Sequence, residues 1–254
     1  MTHRPDELDE LAFLASYDAS RYARPSVAVD VVLVTVSEGS LKTLLVQRTE
    51  QPQLERWALP GGFVGLDESL DAAAARVLAT KAGVEDVFTE QLYTFGDPGR
   101  DPRTRVISVV YYALVEPARL ERAVADREGH GLALAEVAVV ANGHVRSVEA
   151  HAAGGEILPF AFDHGAILAA AVERIRGKLD YAPIGFELLP DTFTLLELRL
   201  VHEAILGHTL NKDSFRRKML DRGFLVATGE RQAGLGHRPP ELYRFVRPGM
   251  EPPR

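Results

Sequence analysis

Between Trp57 and Val84 the chain reads WALPGGFVGLDESLDAAAARVLATKAGV, and this stretch restricts the possible folds more than any other. Two adjacent glycines, Gly61 and Gly62, permit positive φ and close approach of backbone to a ligand. Ser69 stands where a helix N-cap belongs and Gly83 where a helix closes, so the spacing predicts a helix running from Ser69 through about Ala82. Leu70, Ala74, Val77 and Leu78 recur at helical spacing and form its packing stripe. Positions 77, 80 and 81 share one face, because side chains three and four apart on a helix meet. An Ala-rich helix after a glycine turn is by itself an ordinary surface helix. The register of the residues around it is what sets this one apart.

That register resembles the Nudix box, G-x5-E-x7-R-E-U-x-E-E-x-G-U, in which U is a bulky aliphatic residue. Gly62, Glu68, Arg76, Leu78, Gly83 and Val84 fall on the pattern. The three glutamate positions after the arginine are Val77, Thr80 and Lys81. Three carboxylates there would hold Mg2+, a hard cation that neutralises a pyrophosphate and activates water. Valine and threonine cannot supply that charge, and Lys81 inverts it. Glu68 alone, with stray acids such as Asp67 or Asp71, makes a poor cage. The expectation is weak or absent Mg2+-dependent hydrolysis, with Glu68 the residual catalytic candidate and no metal site. No cofactor is required on this reading, and Mg2+ matters only if hydrolysis is retained.

The rest of the chain has room for more than one function. Its 254 residues favour two domains, and a hydrophobic fraction of 46% is ample for a core. The absence of cysteine rules out disulfides and thiolate metal sites and fits a reducing compartment. No apolar run reaches the length of a membrane span and the N-terminus is acidic, so a soluble, cytoplasmic protein without a membrane partner is expected. The eight histidines lack paired zinc-ligand spacing. The net charge of −7 is uneven: residues 168–254 carry 14 basic against 11 acidic side chains, and residues 1–167 carry 15 against 25. A mildly basic half beside an acidic one suits two partners, one of them polyanionic.

Residues 27–36 (VAVDVVLVTV) and 44–48 read as a hairpin about SEGS, and 105–115 (RVISVVYYALV) as a strong strand. The Gly/Pro/Asp stretch 93–103, YTFGDPGRDPR, reads as a loop. Its place before a core strand, with Arg100, Arg103 and Arg105, suits phosphate or ribose recognition. The resemblance to the ADP-ribose branch of the Nudix family supports that role. Candidate ligand-binding residues are Gly61, Gly62, Arg76, Lys81, Asp97, Arg100, Arg103 and Arg105. Residues 117–157 are read only as further strand and loop.

Past AFDHG, Asp163 can cap a helix over 164–179, stopped by Pro183. Thr194 and Glu197 form a capping box before LLELRLVHEAIL, closed by Gly207. A four-residue connection leads to a third helix capped by Asn211 and stopped by Gly223, which makes a helix-turn-helix candidate. Residues 224–246 then read as two strands about a loop, a wing. On a helical projection Phe215, Met219 and Leu220 point inward, Ser214, Arg217 and Lys218 outward, with Lys212 and Arg216 flanking. Such a face suits the major groove, and Arg231, Gln232, His237 and Arg238 in the wing can follow the backbone or minor groove. Thr194, Asn211, Lys212, Ser214, Arg216, Arg217, Lys218, Arg231 and Arg238 are the candidate DNA-binding residues. A protein-docking winged helix would carry the same elements.

Nearly the whole chain resembles the Nudix-related transcriptional regulators of NAD metabolism. Beside the altered box, this rests on AFDH, on KLDYAPIGFELLPDTFTLLELRLVHEAILG, on NKDSFRRKML and on RPPELYRF. The resemblance implies an α+β chain: a Nudix α/β/α sandwich with mixed sheet over residues 1–160, then a linker helix and winged helix-turn-helix over 161–254. It also implies ADP-ribose or a related nucleotide as effector, operator DNA as partner, and a homodimer. An active ADP-ribose-type hydrolase and a catalytically silent docking scaffold are the alternatives.

Overall fold

The computed structural model describes residues 5–127, 129, 131–140, 147–232 and 239–246. Two β-branched runs joined by a tight turn start the sheet: β1 (Ser26–Ser37) and β2 (Ser40–Gln47) pair antiparallel about Glu38 and Gly39. Both turn residues have positive φ, 54° and 76°, the combination that matches the twist of the flanking strands. β3 (Trp57–Ala58) pairs with β2, and β4 (Gly61–Phe63) with β1. The remaining strands are β5 (Glu90–Phe95), β6 (Val106–Leu114), β7 (Leu132–Val139) and β8 (Val148–His151), and the central order is β5-β6-β1-β2-β7-β8. β1 and β6 run parallel and the other pairs antiparallel, so the sheet is mixed.

Alternation along β1 divides the core in two. Val29, Val31 and Leu33 face α2 (Leu70–Val77) and α3 (Pro117–Ala125), whereas Val32, Val34 and Val36 face α4 (His164–Lys178) and α5 (Leu195–Leu206). α4 is therefore the outer layer of the α/β/α sandwich, buried along its length through Ile167, Leu168, Ala171, Val172 and Ile175. The expected boundary at 160/161 falls ahead of α4 and so separates that helix from the core that buries it. α5 adds Val201 and Ile205 to the same core, so the second unit is packed on the sheet.

A separate core of Phe186, Phe193, Leu198, Phe215, Met219 and Tyr243 holds α5, α6 (Lys212–Asp221) and the wing strands β9 (Leu225–Arg231) and β10 (Glu241–Phe245) together. Further expectations changed. Residues 93–95 belong to β5 because they pair with β6, so the loop begins at Gly96. Residues 117–125 form α3, started by Pro117 in the first turn, where its missing N–H costs nothing. α1 (Pro5–Ser16) precedes the sheet. Among the described residues no helix is long and apolar enough to cross a membrane.

Candidate effector cleft and nucleic-acid interface

The motif helix begins at Ser69, whose hydroxyl accepts from Ala72 N, and ends at Gly83 in left-handed conformation. Its last turn, Leu78–Ala82, widens to a π-helical turn. Val77 is buried in the core against Gly62, the Thr80 hydroxyl donates back to the Arg76 carbonyl, and Lys81 is exposed along the cleft. These side chains do not fit Mg2+: one is apolar, one is turned to its own helix and one is a cation. Among the described residues no three His, Asp or Glu side chains gather where a metal could be held.

Glu68 is equally committed. Arg76 grips it from Nε and Nη2, both at 2.7 Å, and Gly65 N donates to it at 3.0 Å. The Arg76 bonds, then the Gly65 bond, lower its pKa to about 2. Arg76 also donates to Phe63 O, so the pair ties α2 to the glycine loop, and Arg76, expected at the ligand, is instead a structural clasp. Asp71 accepts from the Tyr111 hydroxyl at 2.8 Å, and burial together with that bond raises Tyr111 to about 12.

The cleft itself remains built. A cavity of about 280 Å3 is lined by Gly61, Gly62, Phe63, Lys81, Arg100 and Arg103 together with Asp30, Arg48, Phe162 and His164. It adjoins a second of about 600 Å3 along Arg48, Glu50, Gly61, Lys81 and Arg127. Gly61 and Gly62 do not use positive φ, contrary to expectation. Gly61 is required for space: a Cβ there would lie 2.0 Å from Asp30 Oδ1. Asp97 and Arg105 are exposed and brace the loop, Asp97 by accepting from Gly99 N and Arg105 by donating to the Asp97 carbonyl.

Residues not singled out in the sequence complete the site. Asp30, buried in β1, accepts from Ser108 at 2.5 Å and lies 3.6 Å from Arg100 and 3.8 Å from His164 Nε2. His164 Nδ1 accepts from Leu59 N at 2.8 Å, which puts the ring proton on Nε2, toward Asp30. Burial lowers its pKa, so the ring is neutral. Arg100, only 5% exposed, donates twice to Asp163, which therefore makes no cap bond to α4 despite its N-cap position. Phe162 has φ 51°, uncommon for a residue with a side chain, and is held there by its N–H donating to Gln53 Oε1. Its ring lies 4.8 Å from the Arg48 guanidinium and 5.9 Å from that of Arg103, which Asp101 orients. Arg48 and Arg103 against aromatic faces, beside Lys81, form a shelf for a flat ring next to cations for phosphates. A lone Asp within the apolar run VAVDVVLVTV was the available signal for Asp30, since a buried carboxylate needs partners.

In the C-terminal unit the capping box is present in full, with Thr194 Oγ1 accepting from Glu197 N and Glu197 accepting from Thr194 N. Thr194 is 2% exposed, so its hydroxyl serves the helix and cannot reach DNA. Asn211 accepts from Asp213 N and Ser214 N and starts α6. Phe215 and Met219 are buried, whereas Leu220 is 39% exposed, contrary to the projection. Lys218 is paired with Asp180 at 2.8 Å and is turned toward the end of α4. Ser214 and Arg217 are exposed, Lys212 and Arg216 border a 360 Å3 cavity with Tyr243, and Arg231 donates to Pro239 O. His237 and Arg238 lie outside the described residues.

Family models match both units: a NUDIX domain over residues 24–151 and the NrtR DNA-binding winged helix domain over 185–245. Across 97% of this chain and 92% of the relative, the sequence is 36% identical to the ADPR responsive transcriptional repressor NtrR of Acinetobacter baylyi. The chain belongs to the NrtR family. Shewanella oneidensis NrtR, crystallised with a 27mer DNA, superposes with a TM-score of 0.72 at 34% identity, over 87% of this chain and 93% of that one. A MutT/nudix family protein of Enterococcus faecalis superposes with a TM-score of 0.73 at 25% identity, over 97% and 100%. In NrtR terms, the altered box and the winged helix are parts of one architecture, as the resemblance implied.

Proposed function

We propose that this NrtR-family chain is a transcriptional regulator whose Nudix cleft binds ADP-ribose, or a closely related NAD-derived nucleotide, without efficient hydrolysis and thereby alters operator binding by the winged helix. The observation that carries this reading is the contrast within one site. The cleft keeps Arg48, Arg100, Arg103, Phe162 and Lys81 where a nucleotide diphosphate needs cations and a stacking face, while the metal stripe holds Val77, Thr80 and Lys81. The 36% identical repressor is named as ADPR responsive, which supplies the ligand class. Arg217, Ser214 and Arg231 present the exposed polar groups of the recognition face, and a homodimer on a palindromic operator completes the scheme.

Two measurements test this. A duplex from upstream of its own gene, titrated with the full chain in a mobility-shift assay, should bind specifically, and ADP-ribose should change the affinity. With ADP-ribose and Mg2+, turnover should stay near the uncatalysed background. Specific binding indifferent to ADP-ribose, or turnover at ordinary enzyme rates that Glu68→Gln abolishes, would overturn the proposal, the latter in favour of an active hydrolase.

A further inference from the structure

Arg100 is among the cations of the effector cleft, yet its side chain is already occupied. Nε donates to Asp163 Oδ2 at 2.9 Å and Nη2 to Asp163 Oδ1 at 2.8 Å. That two-point grip saturates the side-on edge of the guanidinium fork, the geometry that carboxylates and phosphates share. A phosphate seeking the same edge has to displace Asp163, and its charge repels the carboxylate as it does so.

Asp163 has somewhere else to go. It occupies the N-cap position of α4 with ψ 15° and no side-chain cap bond, although aspartate is among the best residues for that task. Rotation toward extended ψ would let its carboxylate accept from the first free N–H groups of α4, where the helix dipole favours negative charge. One residue thus has two mutually exclusive partners, Arg100 and its own helix.

The other end of α4 is fastened to the DNA-reading unit. Arg222, just past α6, donates to the carbonyls of Leu179 and Asp180, Lys218 of α6 pairs with Asp180, and Arg176 donates to Ile205 O of α5 at 2.7 Å. The 15 residues between make a rod about 22 Å long. It is buried along one side through Ile167, Leu168, Ala171, Val172 and Ile175.

We infer that Asp163 is an intramolecular competitor of the effector's phosphates for Arg100, and that its transfer from Arg100 to the N-terminus of α4 carries the ligand signal to α5 and α6. This rests on the effector reading above. It satisfies the requirement that a ligand prefer one of two arrangements, because phosphate binds only the unlatched one.

The experiment uses the full chain, with operator affinity read by fluorescence anisotropy with and without ADP-ribose, and ADP-ribose affinity by calorimetry. In the wild type, ADP-ribose should change operator affinity by a factor in the about 5- to 150-fold range typical of such coupling. Asp163→Asn removes the competing charge and keeps a capping side chain, and Asp163→Ser is the second variant should the first fold poorly. Either should bind ADP-ribose about tenfold tighter, the gain expected if the latch is closed about 90% of the time. Either should also show, without ligand, the operator affinity of the ligand-saturated wild type, with a coupling factor near 1. A folded variant that keeps the wild-type coupling factor and the wild-type ligand-free operator affinity overturns the latch alone. A wild type that does not respond to ADP-ribose overturns the effector reading together with it.

Discussion

Single side chains decide whether the cleft exists. Gly61 is glycine because Asp30 occupies the space of its Cβ, and Asp30 is there because Ser108 bonds it in a strand that is otherwise apolar. Gly61→Ala forces that carboxylate aside, and the overpacking is expected to cost about 1–3 kcal/mol. Urea unfolding midpoints measure it; a loss below about 0.5 kcal/mol would mean that Asp30 moves freely, and the tight packing argued for this corner would be wrong. The altered box was legible here because substitutions at fixed offsets are visible in one dimension. Asp30, Phe162 and His164 were not, because their partners Ser108, Gln53 and Leu59 are 78, 109 and 105 residues away in sequence.

At the scale of elements, capping signals proved the most readable. Ser69, Thr194 and Asn211 stand at the helix starts where their side chains predict. Asp163 stands at one too, but a buried arginine outbids the helix for its carboxylate, a competition no local rule registers. Pro117 marks the start of α3, and Leu220 is exposed although a helical projection turns it inward. Packing of α5 on α6 buries His202 against Phe215, with Nε2 unpartnered among the described residues. Burial, then the cations Arg222 and Lys218, lowers its pKa to about 4, with Asp180 opposing. Between that value and the ordinary 6.5 the unfolded chain binds the extra proton, so stability is complete above pH 6.5 and falls as pH drops toward 4, by about 3 kcal/mol at most. His202→Leu should abolish that pH slope in chemical denaturation while leaving the fold intact. An identical slope in the variant would place its origin elsewhere.

For the whole molecule, the cleft at His164 and the α6 contacts of Lys218 and Arg222 lie at opposite ends of the buried helix α4. The four cations of α6, Lys212, Arg216, Arg217 and Lys218, are all exposed, and Lys218 is in addition paired with Asp180. Arg217→Ala is therefore expected to weaken operator binding by about 1–3 kcal/mol if it reads a base, or to lower the salt slope by about 1 if it meets a phosphate. Lys218→Ala should do markedly less. Anisotropy titrations over a range of salt concentrations separate these outcomes, and equal losses for the two would mean that Lys218 exchanges Asp180 for DNA on binding. By itself the sequence determined the two units, the motif register, the absent metal carboxylates and most helix starts, because each is a property of residues close together along the chain. Only the tertiary structure decided that Arg76 and Thr194 are structural, and that Arg100 is held by Asp163. Those roles depend on which distant groups burial brings within hydrogen-bonding reach, and long-range packing sets that.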